Sequence, residues 1–205
     1  MEPHLAEDTF ILLDALERDA AELQAFRPSI CLEIGSGSGC VTAFIASVLG
    51  PASTLFLATD INDYAAKATV STGHQNQVEI SSIRTSLAEG LQPRLKGNID
   101  LLLFNPPYVP TTDSEASAAQ DERGISGAWA GGRDGMDITN RLLPHVGGLL
   151  SPSGRFYLVA LLQNNPAQIC EEMRRIYGLD SKTVLQRRAG RERLAVLCFF
   201  WPSAV

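Results

Sequence analysis

Several short stretches of this sequence hold polar side chains where backbone geometry would aim them at a ligand. Asn105 ends the short aliphatic run 99–104 and is followed by Pro106, Pro107 and Tyr108. Neither proline can donate to a sheet ladder and each fixes φ, so the strand has to stop and the chain leaves it stiffly. An amide is thereby delivered on a rigid turn at the carboxyl end of a central strand, where open α/β sheets place their ligands. Gly35-Ser-Gly-Ser-Gly39 follows one apolar strand directly and opens an apolar helix, a cue for backbone N–H groups meeting a nucleotide-like ligand. Glu33 stands two residues before that loop, and Asp60 ends the next apolar run, where a carboxylate accepts hydrogen bonds from both hydroxyls of a ribose. Each feature also has a plainer use. Asn-Pro-Pro makes a strand-ending turn, Glu33 answers a neighbouring base, and Asp60 caps a helix. Asn62 or Asp63 already supplies that cap, which leaves Asp60 for a ligand.

These residues need strands to carry them, and the pattern supplies strands in alternation with helices. An amphipathic helix is predicted over 6–26, with Phe10, Leu12, Leu13, Leu16, Ala20 and Leu23 on its apolar face and Asp8 or Thr9 as its cap. Strand 29–34, helix 41–49, strand 54–59, a helix to about residue 71, strand 78–83, a short helix or turn over 87–95 and strand 99–104 follow. Residues 109–123 are polar, small and aperiodic, a length that favours a substrate-gating loop, extending over 109–130. The turn-rich stretch 127–135 closes it, with Trp129 too large and apolar to stand wholly exposed. Helix 136–150, a tight turn at 152–154, strand 156–162, helix 166–177 and two final strands at 182–186 and 194–201 complete the chain. The basic stretch Arg187-Arg-Ala-Gly-Arg-Glu-Arg193 reads as a solvated hairpin tip with the capacity to touch an acidic partner. Edge positions around 55–57 or 78–80 are candidates for pairing with a partner strand. The order predicts one α/β domain spanning 1–205, with residues 1–28 as an N-terminal helix or lid.

Composition narrows the function. With 205 residues, 45% of them hydrophobic, the chain fits one large domain with a full core. A net charge of −6 gives no basic footprint for nucleic acid or an anionic membrane. No apolar run has the roughly 18 residues of a membrane span, and the start Met-Glu-Pro-His has no basic-then-apolar signal. The expected location is cytoplasmic, with the nucleus as a second one. Cys31, Cys40, Cys170 and Cys198 are scattered without C-x-x-C spacing and read as reduced thiols in or near the core.

The glycine loop lacks the third glycine of a dinucleotide fingerprint, carrying Cys40 in its place, and so suits S-adenosylmethionine better than NAD. Asn105-Pro-Pro-Tyr108 in turn resembles the signature of methyltransferases that place the methyl group of S-adenosylmethionine on a planar nitrogen, a glutamine amide or the amine of adenine. Such a nitrogen is a poor nucleophile because its lone pair is delocalised. Two acceptors aimed at its N–H groups, the Asn105 side-chain oxygen and the Pro106 carbonyl, would hold it and favour the charge that develops during transfer. Tyr108 would pack on the planar group or bear on the methyl cation.

Taken jointly, Ala-Glu-Asp-Thr-Phe-Ile-Leu-Leu-Asp at residue 6, Cys-Leu-Glu-Ile-Gly-Ser-Gly-Ser-Gly at 31, Thr-Asp-Ile-Asn at 59, Phe-Asn-Pro-Pro-Tyr-Val at 104 and Ala-Trp-Ala-Gly-Gly-Arg at 128 resemble the eukaryotic and archaeal HemK-like release-factor glutamine methyltransferases, over nearly the whole chain. The resemblance implies a seven-stranded, mostly parallel Rossmann-like sheet with an antiparallel last strand and helices on both faces. It implies a cofactor site lined by Thr9, Glu33, Gly35, Gly37, Asp60, Ile61, Ser86, Leu87 and Asn105. Asn105, Pro106 and Tyr108 would carry the chemistry, and Asn105, Pro107, Tyr108 and Trp129 would receive the substrate. That substrate would be the glutamine of Gly-Gly-Gln in a class 1 termination factor, alone or with its GTPase partner, and the family works as a heterodimer with a small zinc-binding activator. A histone lysine and adenine in DNA are the alternative acceptors, and a non-enzymatic scaffold that binds the cofactor is a third reading. DNA is disfavoured by the acidic single domain, which has no length to spare for target recognition. Two departures stand out: Ser86 replaces the family's acid at the adenine amine, and His4-Leu5 separates Glu2-Pro3 from Ala6.

Overall fold

A computed structural model of the chain describes residues 7–107, 135–189 and 192–202. Tyr108, Trp129 and the expected loop 109–130 lie outside the described residues, as do residues 1–6 with the irregular start. Among the described residues seven strands form one sheet in the order β3-β2-β1-β4-β5-β7-β6. They are β1 (Ile30–Ile34), β2 (Leu55–Asp60), β3 (Ile80–Arg84), β4 (Ile99–Phe104), β5 (Leu150–Leu161), β6 (Asp180–Ala189) and β7 (Glu192–Phe200). The first five are parallel neighbours, and β7 runs antiparallel between β5 and β6. β4 pairs on both sides and its Leu101, Leu102 and Leu103 are fully buried, as a continuous apolar run with breakers at its end requires. β3 is an open edge. β2 lies inside the sheet, so the run 55–57 is not available to a partner's ladder.

Helices cover both faces. α1 (Glu7–Arg18), α2 (Ala20–Phe26) and α3 (Cys40–Leu49) lie over one core that includes Leu101, Leu103, Tyr157 and Val196. α6 (Asp137–Leu149) and α7 (Pro166–Tyr177) lie over the other, with Leu102, Phe104, Phe156 and Phe199. α4 (Asp63–Gln75) and the single turn α5 (Gln92–Leu95) complete the set.

The predicted helix 6–26 is two helices. The break falls at Asp19, whose carboxylate is pulled inward to accept from the Tyr157 hydroxyl at 2.7 Å and from Lys182 Nζ at 3.1 Å. Lys182 also reaches Glu22, which pairs with Arg155 at 2.7 Å, and the Arg155 guanidinium lies 5.0 Å from the centre of the Phe26 ring. Burial, with Cys198 and Asp19 as neighbours, pushes the Tyr157 phenol far up, so it stays a neutral donor. The helix begins at Glu7, which puts Asp8 and Thr9 inside its first turn rather than at its cap. Ile11, Leu12, Ala15 and Leu16 carry its buried face, while Phe10 is 47% exposed.

α1 runs opposite to the parallel strands. Asp19 meets Lys182, and Asp14, further back along the helix, meets Arg187, five residues higher on β6. Thr9, beyond Asp14, is therefore carried toward the carboxyl edge of the sheet.

β5 differs from expectation too. The predicted turn at 152–154 is a bulge within one strand, between the pairs Ile99↔Leu150 and Leu101↔Arg155. A Cβ at Gly154 would stand 2.6 Å from the Ile99 carbonyl oxygen, so only glycine lets the bulge close on β4. The final strands are longer than predicted and take Arg187, Arg188 and Arg193 into the ladder.

Replacing Tyr157 with Phe removes the donor that breaks the N-terminal helix and leaves a buried carboxylate with one partner fewer. The variant should lose about 1–2 kcal/mol of stability in urea unfolding; an unchanged midpoint would show that Lys182 alone holds Asp19.

Candidate active site

The register of the sheet assembles the site. Ile34 of β1 pairs with Thr59 of β2 and with Phe104 of β4, and Asp60 pairs with Arg84 of β3. Gly35, Asp60 and Asn105 thus leave three neighbouring strands at one level of the carboxyl edge. The Phe104 ring lies 3.8 Å from where a Gly35 Cβ would be. Asn105 and Pro107 are half-buried and Pro106 is buried.

The loop after β1 is a run of left-handed glycines, with φ of 65° at Gly35, 53° at Gly37 and 77° at Gly39. Gly39 also has no room, since a Cβ would meet the Thr69 Cα of α4 at 2.7 Å. A Cβ on Gly37 would meet nothing within 4 Å, which leaves open space over the loop. Threonines of α4 hold the loop from behind: Ser36 and Thr69 share a hydrogen bond of 2.8 Å between their hydroxyls, and Thr72 Oγ1 donates to the Ser38 carbonyl at 2.7 Å.

Two carboxylates face this loop. Asp60 Oδ2 accepts from the Gly37 N–H at 2.9 Å and Oδ1 from the Asn62 N–H at 2.8 Å. Asn62 caps α4 by accepting from the Tyr64 N–H, as expected, but Asp60 is not left free for a ligand. It braces the loop, and each of its oxygens keeps a second lone pair for a ligand hydroxyl.

Glu33 is 4% exposed and sits at the positive end of α3, where Oε2 accepts from the Thr42 N–H at 3.0 Å and from the Thr42 hydroxyl. Burial pushes its carboxyl up to about 7, against the Thr42 hydrogen bonds and with a further upward push from Asp60. Thr42 is the site residue sequence reasoning missed. Its signal is spacing, because a hydroxyl in the first turn after a glycine loop can reach back to an acid ending the strand before it.

The next pair of expected residues lies beside the first. The Thr85 N–H donates to the Asp60 carbonyl at 3.0 Å, which sets Ser86 and Leu87 alongside Asp60 and Ile61. Ile61 is 54% exposed, a flat apolar surface at the edge of the opening. Leu87 has φ of 49°, a left-handed conformation uncommon for a branched residue and of the kind that collects at ligand sites. Ser86 is claimed by α6: Arg141 Nη2 donates to its Oγ at 3.2 Å and pairs with Glu89 at 3.3 Å. Nothing in the local sequence announces Arg141, which lies 55 residues away. The structure therefore brings Glu33, Gly35, Gly37, Asp60, Ile61, Ser86, Leu87, Asn105 and Pro106 to one edge of the sheet.

The open glycine loop, an acid at the end of β2 and the strained apolar turn after β3 fit an adenosyl group with a charged tail. The Methyltransferase small domain family matches residues 5–122. "Methyltransferase HEMK2" of Mus musculus is 51% identical over 194 residues, covering 95% of this chain and 87% of the relative. "eRF1 methyltransferase catalytic subunit mtq2" of Schizosaccharomyces pombe is 39% identical over 203 residues, covering 94% and 86%. Among solved structures, the Mtq2-Trm112 complex of E. cuniculi, described as methylating the eRF1 termination factor, superposes with a TM-score of 0.71 at 22% identity over 98% of both chains. Fold and site together define a class I methyltransferase dependent on S-adenosylmethionine. Within the methyltransferase small domain family, the chain belongs to the HEMK2/Mtq2 type.

The raised Glu33 carboxyl makes stability depend on pH. Because its folded value of about 7 lies above the ordinary 4.5, the folded state holds the extra proton, and its contribution is complete below pH 4.5 and lost as pH rises through 7. Glu33→Gln keeps the neutral form at all pH. Relative to the parent, this variant should gain on the order of 3 kcal/mol between pH 4.5 and 8 in paired thermal melts; a constant difference would mean that the Glu33 carboxyl keeps its ordinary value in the folded protein.

Proposed function

We propose that this chain is the catalytic subunit that methylates N5 of the glutamine in the Gly-Gly-Gln tripeptide of a class 1 translation termination factor, in a heterodimer with a small zinc-binding activator of the Trm112 kind. The observation that carries this reading is the shared level of Gly35 and Asn105, which directly follow the paired ends Ile34 and Phe104 of the adjacent strands β1 and β4. A donor bound on the glycine loop and an acceptor held on the Asn-Pro-Pro turn would be neighbours, and transfer between them is then mostly a matter of positioning. The relatives support the choice of substrate: one is named as an eRF1 methyltransferase subunit, and a structure of the same fold is that of a complex with Trm112.

In this reading Glu33, the glycine loop, Asp60 with Ile61, and Ser86 with Leu87 hold S-adenosylmethionine, with Thr9 of α1 closing over it from the N-terminal side. The chemistry the bound cofactor supplies is an activated methyl group. Asn105 accepts one N–H of the substrate amide and the Pro106 carbonyl the other, while Pro107, Tyr108 and Trp129 border the acceptor. The open edge of β3 offers a partner a ladder to extend. No helix among the described residues is long and apolar enough to cross a membrane, and a substrate from the translation machinery places the work in the cytoplasm. The acidic chain, with a net charge of −6, favours protein over DNA as the acceptor.

Asn105→Ala removes one preorganised acceptor. Turnover on the termination factor should fall about 10²-fold or more while the dissociation constant for S-adenosylmethionine changes only a few-fold. Mass spectrometry of the Gly-Gly-Gln peptide and calorimetry of cofactor binding check the two halves; near-normal transfer would remove Asn105 from its role.

A further inference from the structure

The strand order β3-β2-β1-β4 sets the parts of the candidate site in a row along the carboxyl edge. Asn105 follows β4, the glycine loop follows β1, Asp60 ends β2, and Ser86 with Leu87 come after β3. A methyl donor lying along this row has to bring its reacting end to the β4 side, beside Asn105. Asp60, the carboxylate suited to ribose hydroxyls, stands one strand beyond the glycine loop. The base at the far end of an adenosyl group therefore falls on the β3 side, against Ile61, Ser86 and Leu87. Ile61 and Leu87 offer it apolar surface, and Ser86 is the one of the three with a polar side chain.

Arg141 decides what Ser86 can do there. The Arg141 guanidinium donates to Ser86 Oγ at 3.2 Å, and the same nitrogen pairs with Glu89 at 3.3 Å, so it is held from two sides. A hydroxyl has one hydrogen to donate and two lone pairs with which to accept. Here a cation occupies one lone pair and draws density from the oxygen, which weakens Ser86 as an acceptor and strengthens its O–H as a donor. Among the described residues that hydrogen has no acceptor. Adenine presents its 6-amino group as a donor and the neighbouring ring nitrogen N1 as an acceptor. An O–H facing that edge is satisfied by N1 and not by the amino group, whereas a carboxylate in the same place would accept from the amino group alone.

We propose that Arg141 sets Ser86 as a hydrogen-bond donor to the purine ring, so that the base of the cofactor is selected through ring nitrogen N1 and not through its 6-amino group. The proposal rests on the cofactor site of the function proposed above. It makes Ser86 a specificity-determining residue that touches the base, and Arg141 a positioning residue that acts through Ser86. A site built to hydrogen-bond one group of its ligand rejects analogues that lack this group, because its own polar atom is then left unpaired.

Calorimetry on the heterodimer tests this with three ligands: S-adenosylhomocysteine, its analogue with hydrogen in place of the 6-amino group, and its 1-deaza analogue, in which N1 is replaced by C–H. The parent should bind the first two within about two-fold of each other and the third roughly five-fold more weakly. S86A should weaken the first two about five-fold and leave the third unchanged, since the deleted hydroxyl has no acceptor there to lose. R141M, which removes the charge and keeps an apolar stem, should shift the ratio of the first two Kd values roughly three-fold in favour of the amino group. S86D should shift it further in the same direction. A change in that ratio is not produced by a merely structural role. A loss on removing the amino group that equals or exceeds the loss on removing N1 overturns the proposal, and so does S86A weakening all three ligands equally. A parent that binds none of the three overturns it together with the cofactor site. A parent that selects through N1 but leaves the Gly-Gly-Gln glutamine unmethylated upholds it while the glutamine reading fails.

Discussion

The geometry at the carboxyl edge depends on β1 being held in parallel register between β2 and β4. That pairing sets Ile34 level with Thr59 and Phe104, so the three segments that follow, the glycine loop, Asp60 with Ile61, and Asn105 with its prolines, start from one line. A slip of one residue would invert every side chain of the strand. Burial prevents it: Cys31 and Leu32 face opposite cores and both are fully buried. The precision of the site is thus inherited from packing on both faces of the sheet, and the loops need little stiffness of their own beyond two prolines and three left-handed glycines.

Electrostatics sharpen what the register places. Asp60 spends both oxygens on backbone N–H groups and so joins the glycine loop to the start of α4. Glu33 does the same for α3 through Thr42, but from a buried position that holds its proton near neutrality. The two acids lie on adjacent strands, and the charge of Asp60 adds to the push that holds the proton on Glu33.

Much of this was legible in the sequence because the carrying elements are extreme cases. β4 is buried on both sides and ends at two prolines, and β1 runs straight into the glycines, so strand, turn and ligand-facing residues followed from local signals. The failures share a different origin. The break at Asp19 is made by Tyr157, 138 residues away, and the capture of Ser86 by Arg141 crosses 55. Asp60 looked free because a spare cap was in view, while its true partner, the Gly37 N–H, becomes a neighbour only after two parallel strands have paired. The arginine stretch looked like a solvated turn because charge marks loops locally, yet pairing with β7 drew three of those arginines into strands. Gly154 looked like a turn residue because glycine with a nearby proline marks turns locally, and it sits instead in a bulge of β5 where a Cβ would strike the Ile99 carbonyl of β4.

The place of β7 also bears on how the protein is made. It follows every other strand in chain order, yet it is inserted between β5 and β6 with Leu194–Phe199 wholly buried. Until those residues leave the ribosome, β5 has an unpaired flank and both cores lack part of their filling. The cofactor-binding half of the sheet, β1 to β4, can therefore assemble before β5 is made, while completion of the sheet waits for β7. Between the end of β4 and the arrival of β7 the nascent chain is a half-sheet with an exposed apolar strand, the stage at which it is most open to aggregation.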